Sequence, residues 1–264
     1  MGKNIITVNG KTVSYYEEGK GNPIVLLHGF CGSMKYWDKV ITELSEHYRV
    51  IALDLPGHGE SSNLEGSTTI EDMAVHIKGL LDYLNLTQVS MFGHSLGGYV
   101  TLAFAERFRQ MLNGFSLIHS TAFPDSEEAK EGREASVEKV KKEGISAFID
   151  GLIPKLFSPD SLEKNENDIK TAKEIGYSTS TEGAIKTLLA MKNRPERNSI
   201  LEEAEIPVLL IAGDKDQIIP FEKTFSVSKS NIKHVLIKDS GHMSMYENPS
   251  ELINNMMEYM NTIN

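Results

Sequence analysis

A chain of 264 residues, 40% of them hydrophobic and 24% charged, carries enough apolar material for a sizeable core and fits one large α/β domain or a domain with an insertion better than a disordered tail or a coiled coil. Its 27 Lys and Arg against 37 Asp and Glu leave a formal charge of −10, which argues against nucleic acid and anionic membrane surfaces as partners. The single cysteine, Cys31, excludes an intrachain disulfide and a Cys-rich zinc site. The first residues lack the apolar run of a signal peptide and no run nears the roughly 18 residues of a membrane span. The expectation is a cytoplasmic protein with no membrane span.

The chain opens on two segments, 5–8 and 12–16, joined by Asn9-Gly10, a pair suited to a type I′ hairpin. Short apolar runs follow at 24–27, 50–53, 89–92 and 115–118, each nearly continuous, as in strands buried on both faces of a parallel sheet. Between them lies a helical stripe of Ile70, Met73, Ile77, Leu80, Leu81 and Leu84, preceded by Thr68 and Glu71 at capping-box spacing. Alternation of strand and helix predicts a mostly parallel, doubly wound α/β sheet behind the hairpin.

That rhythm breaks over 122–200, where 13 basic and 15 acidic residues crowd and no strand pattern occurs. The segment reads as a helical insertion. Its apolar stripes are Ile145, Phe148, Ile149, Leu152, Ile153, Leu156 and Phe157, then Ala184, Ile185, Leu188 and Leu189. Sheet pattern resumes at 207–213 and 234–237, and a last helix is signalled by Asn248-Pro249-Ser250-Glu251, with Leu252, Met256 and Met260 on its apolar face.

Chemistry concentrates in Gly93-His94-Ser95-Leu96-Gly97, directly after a strand and directly before a helical run. A strand turning abruptly into a helix exposes the central hydroxyl at the helix N-terminus and needs glycine where backbones meet, so Ser95 is the candidate nucleophile. A serine hydroxyl needs a base to take its proton. Of eight histidines, His242 follows the strand at 234–237 on the edge where α/β sheets build sites. His28 and His94 read as structural residues at strand ends, and His47, His58, His76, His119 and His234 as surface or turn residues. The carboxylate that would orient the imidazole is Asp214 or Asp216, after the strand at 207–213, or less favourably Asp239. Backbone donors for an oxyanion would be the amides of Leu96 and of Phe30, in the loop His28-Gly29-Phe30-Cys31-Gly32. Cys31 itself reads as a pocket wall or a buried hydrophobe.

Five segments stand in order: His28-Gly29-Phe30, Asp54-Leu55-Pro56-Gly57-His58-Gly59-Glu60-Ser61, Gly93 to Gly98, Gly213 to Pro220, and Gly241-His242. With them the chain resembles the α/β-hydrolase superfamily over nearly its whole length, in a capped branch like the serine esterases, lactonases and carbon–carbon hydrolases. The resemblance implies the α/β-hydrolase fold and selects Asp216, because the family's acid stands four residues before a proline, here Pro220. It implies a core of residues 1–121 and 201–264 and a helical cap of residues 122–200 over the site. It implies catalysis by Ser95, Asp216 and His242 with no metal and no organic cofactor. Phe148, Ile149, Leu152 and Leu188 of the insertion, with Cys31, are then candidate pocket lining.

The expected activity is hydrolysis of a small to medium, partly apolar ester or related acyl substrate through an acyl-serine. Lactone or carbon–carbon bond hydrolysis with the same triad is the alternative within catalysis, and a ligand receptor on this fold the alternative outside it. Ser95 at the elbow sets the chain apart from the haloalkane dehalogenases and epoxide hydrolases, which carry Asp there, and Leu96 from perhydrolase-like members, which commonly carry Met.

Overall fold

In the computed structural model, which describes residues 2–263, Asn9 and Gly10 take φ of 51° and 76°. Two successive positive φ angles match the right-handed twist of a two-residue hairpin. They fold Gly2–Val8 (β1) against Lys11–Glu18 (β2) in an antiparallel pair.

The apolar runs become Pro23–Leu27 (β3), Arg49–Leu53 (β4), Val89–His94 (β5), Leu112–Ile118 (β6), Val208–Gly213 (β7) and Ile232–Ile237 (β8). One eight-stranded sheet results, in the order β1-β2-β4-β3-β5-β6-β7-β8, parallel throughout except where β2 meets β1 and β4. Because β3 lies between β4 and β5, the winding reverses there, and the loops leaving β3 and β5 face each other across a crevice at the strands' C-terminal ends.

The helices are Asp38–Leu44 (α1), Ile70–Tyr83 (α2), Leu96–Phe108 (α3), Glu127–Leu152 (α4), Glu166–Tyr177 (α5), Thr181–Lys192 (α6), Asn198–Glu202 (α7), Phe221–Thr224 (α8), Ser244–Glu247 (α9) and Pro249–Met260 (α10). On α2, Ile70, Met73, Ile77, Leu80 and Leu81 are buried. The capping box lies one residue beyond its expected place: Thr69 caps Asp72, and the Asp72 carboxylate accepts from the Thr69 amide at 2.9 Å. Glu71 is unavailable for that duty because it pairs with Arg197. On α10, Leu252, Met256 and Met260 are all buried, as their spacing predicts.

Helices α4 to α7 all lie between β6 and β7. The stripe that reads as one helix over 145–157 is interrupted at both ends. Gly144, at φ 82°, kinks α4 just before it, and after Leu152 a 3-10 turn, Ile153–Leu156, carries Pro154. Ile149 is fully buried against Gly176 of α5, whereas Leu189 faces solvent. Charge fastens the segment's later part to the sheet domain. The Arg194 guanidinium lies 4.0 Å from the Tyr99 ring centre and donates to Asp125 at 2.6 Å, and Arg197 pairs with Glu71 and Glu106.

Candidate active site

At the end of β5 the backbone turns through Ser95, whose φ of 50° and ψ of −112° lie outside the regions most side chains adopt. Crowding explains the glycines around it. A Cβ on Gly97 would stand 2.8 Å from the Leu27 Cβ, and one on Gly93 would strike the Gly97 carbonyl. Two hydrogen bonds hold the turn: Ser95 N–H to the Ile118 carbonyl at 2.9 Å, and the Ser120 hydroxyl to the Ser95 carbonyl at 2.8 Å. The Ser95 hydroxyl makes no capping bond to α3.

Opposite runs the loop after β3. A Cβ on Gly29 would lie 3.4 Å from the Ser95 Cβ and 2.7 Å from His94 Nδ1, so the loop passes directly against the elbow. His28 pins it there. Its Nδ1–H donates to the Gly29 carbonyl at 2.7 Å and its Nε2 accepts the Leu55 amide at 2.9 Å. Burial lowers the His28 pKa to about 4, so the ring stays neutral and keeps both roles. The amides of Phe30 and Leu96 have no acceptor among the described residues. Cys31 is buried at φ 54° with its thiol pKa pushed well up by burial, which makes it a poor nucleophile.

His242 enters from the loop after β8. Its Nδ1 lies 2.7 Å from Asp216 Oδ2, and its carbonyl accepts from His94 Nε2 at 2.8 Å, which ties it to the residue preceding Ser95. The Asp216 side chain is wholly buried. Its Oδ1 accepts the Ile218 and Ile219 amides at 2.8 and 3.0 Å. Burial disfavours the Asp216 anion, but the two imidazoles and these donors outweigh it and hold the carboxyl far below the usual range. Of the other acids, Asp214 makes no contact with His242 and Asp239 occupies an exposed turn at φ 52°. The loop is strapped from above. His242 N–H donates to the Leu156 carbonyl at 2.7 Å, and the Glu247 carboxylate accepts from Gly241 and Met243 on one side and from Ser158 and Ser161 on the other.

His119 does not behave as the surface or turn residue that its position in the sequence suggests. It is fully buried at the end of β6, with Nδ1 3.2 Å from Asp216 Oδ2 and Nε2 2.8 Å from Ser244 Oγ. His58 and His76 are buried too, whereas His47 and His234 are exposed as expected. The signal for His119 was its place at a strand's C-terminal end, the same edge that marked Ser95 and His242. His119, Asp216 and His242 bring potential ligand atoms within 4.8 Å of one another. Their contacts are hydrogen bonds on a carboxylate whose other oxygen is taken by two amides. Among the candidate lining residues, Phe148 meets Phe30 edge to face at 6.0 Å, Leu188 and Ile149 are buried and Leu152 is half-buried.

A sheet of this order with a strained serine at the β5–α3 turn defines an α/β-hydrolase, and the chain belongs to that family. A family model described as the alpha/beta hydrolase fold matches residues 22–149. A thermophilic esterase from Thermogutta terrifontis, solved with malate bound, is 31% identical, with a TM-score of 0.93 over 100% of this chain and 99% of that one. The enol-lactonase of Burkholderia xenovorans LB400 shares the fold at 23% identity and a TM-score of 0.91, over 98% of this chain and 100% of that one. Lipase 1 of Psychrobacter immobilis is 26% identical over 96% of this chain and 82% of its own length. The protein is thus a hydrolase of the α/β fold. No helix among the described residues is long and apolar enough to cross a membrane.

Proposed function

We propose that the protein is a serine carboxylic-ester hydrolase. The observation that carries this reading is the 2.7 Å contact of His242 Nδ1 with Asp216, beside a serine held at a strained strand-to-helix turn. Because Nδ1 is engaged, the nitrogen left to take a proton is Nε2. Ser95 Oγ attacks the ester carbonyl and passes its proton to that nitrogen. The amides of Phe30 and Leu96 stabilise the oxyanion, and the leaving alcohol departs with the proton. Water, deprotonated by His242, then releases the acid from the acyl-serine. Each oxyanion donor contributes on the order of 3 kcal/mol to this step.

Residues 122–200 act as a cap whose inner wall is apolar, with Phe148 set against Phe30. That wall suits a small to medium, partly hydrophobic acyl or alcohol group. The esterase and lipase relatives support the reaction class. A fluorophosphonate probe should label Ser95, and Ser95→Ala should abolish hydrolysis of a short p-nitrophenyl ester. Equal activity in wild type and variant would refute the proposal.

A further inference from the structure

The site holds a second imidazole on Asp216 that the ester mechanism does not use. Asp216 receives four donors: two amides on Oδ1, and His242 and His119 on Oδ2 at 2.7 and 3.2 Å. An ionised carboxylate only accepts, with about four lone-pair sites, so its capacity is filled. The proton of His119 is thereby assigned. Nδ1 must carry hydrogen to face the carboxylate, and burial, partly offset by Asp216, lowers the His119 pKa and keeps the ring neutral. Nε2 is then an acceptor, and the Ser244 hydroxyl, 2.8 Å away, donates to it. The backbone is committed to this placement: His119 sits at φ 49° with its amide bound to the Ile211 carbonyl of β7.

Building on the assignment of Ser95, His242 and Asp216, we propose that His119 is a positioning residue for the base. As a neutral second donor it divides the Asp216 charge between two imidazoles and so sets the pH at which the site becomes active. The groups facing the pair are few. The His94 ring centre lies 5.0 Å from that of His242 and 6.0 Å from that of His119, and burial keeps it neutral. The Glu247 carboxylate also acts on His119, but is itself occupied by the Gly241 and Met243 amides. The two fixed charges are thus Asp216 and Glu247, and only Asp216 touches both rings.

Removing the second donor concentrates the carboxylate's charge on His242, favours its protonated form and inactivates the site at a higher pH. His119→Phe should therefore move the acid limb of kcat/KM upward by about 0.5 to 1 pH unit. His119→Asn, which restores an N–H near the Nδ1 position, should bring it back to the wild-type value. An unmoved limb in His119→Phe, or an equal shift in both variants, overturns the proposal. The intact protein gives an independent readout: with 15N-labelled histidine, NMR should find His119 protonated at Nδ1 and bare at Nε2, and the opposite tautomer overturns the proposal even if His119→Phe does not fold. Ser95→Ala separates the two readings. Full activity there defeats the catalytic assignment, whereas an inactive Ser95→Ala beside an unshifted His119→Phe defeats only the role of His119.

Discussion

The loops at the sheet's C-terminal edge and the helical segment between β6 and β7 are secured by different forces. In the loops, neutral imidazoles and backbone amides do the holding: His28 between Gly29 and Leu55, His94 on the His242 carbonyl, two amides on Asp216. The helical segment is joined to the rest in good part by charged side chains, as in Arg194 over the Tyr99 ring, Arg197 with Glu71 and Glu106, and Lys39 with Asp168. Buried hydrogen bonds have fixed directions and little sensitivity to salt, so they suit groups that must keep one geometry. The ion pairs run from the almost fully buried Arg197 to the exposed Lys39, and the exposed ones are weakened by salt and tolerate adjustment.

This contrast can be broken at either end. The largest effect belongs to the edge: Ser95→Ala should lower kcat/KM for an ester by about 10^4-fold, leaving the thermal midpoint unchanged. Next comes the boundary. Arg194→Met takes the cation off the Tyr99 ring and leaves the almost fully buried Asp125 with Arg133 as its remaining ion-pair partner, and the urea midpoint should fall by an amount equivalent to about 2 to 3 kcal/mol. Ser95 should still react with the probe.

Acid should undo the edge before the boundary. His28 and His58 have folded pKa values lowered by burial to about 4 and about 3, so the unfolded chain binds protons that the folded chain refuses. Stability is complete above the unfolded value of about 6.5 and falls as pH drops through the folded values, with His28 alone removing about 3 kcal/mol by pH 4. Calorimetry between pH 7 and 4 measures the slope, and a flat midpoint would contradict it. Glu247→Ala leaves the Gly241, Met243 and Ser158 amides without their acceptor. We expect about 2 to 3 kcal/mol of lost stability and roughly tenfold lower kcat. The smallest effect is at the kink: Gly144→Ala meets no neighbouring atom but must hold φ 82°, which costs about 1 kcal/mol in a denaturant titration.

The sheet was legible because strands buried on both faces must be continuously apolar, and the runs at 24–27, 50–53 and 89–92 fall inside β3, β4 and β5. The elbow was legible because its glycines stand beside Ser95 in sequence. Other features depend on partners far along the chain. The choice between Thr68-Glu71 and Thr69-Asp72 as a cap turned on Arg197, more than 120 residues away. His119 read as a surface or turn residue because its partners, Asp216 and Ser244, are 97 and 125 residues distant. The Gly144 kink hid inside a run of charged residues where helical periodicity has little apolar signal to lose.

Residues 156–161 lie within the helical segment but bond to the histidine loop, through the Leu156 carbonyl and through Ser158 and Ser161 on Glu247. A different helical segment grafted onto this sheet to admit a new substrate would therefore have to join ahead of Leu156. A graft that replaced this stretch would discard the acceptor of the His242 amide together with the helices, and would alter turnover for every substrate alike instead of redirecting the enzyme among them.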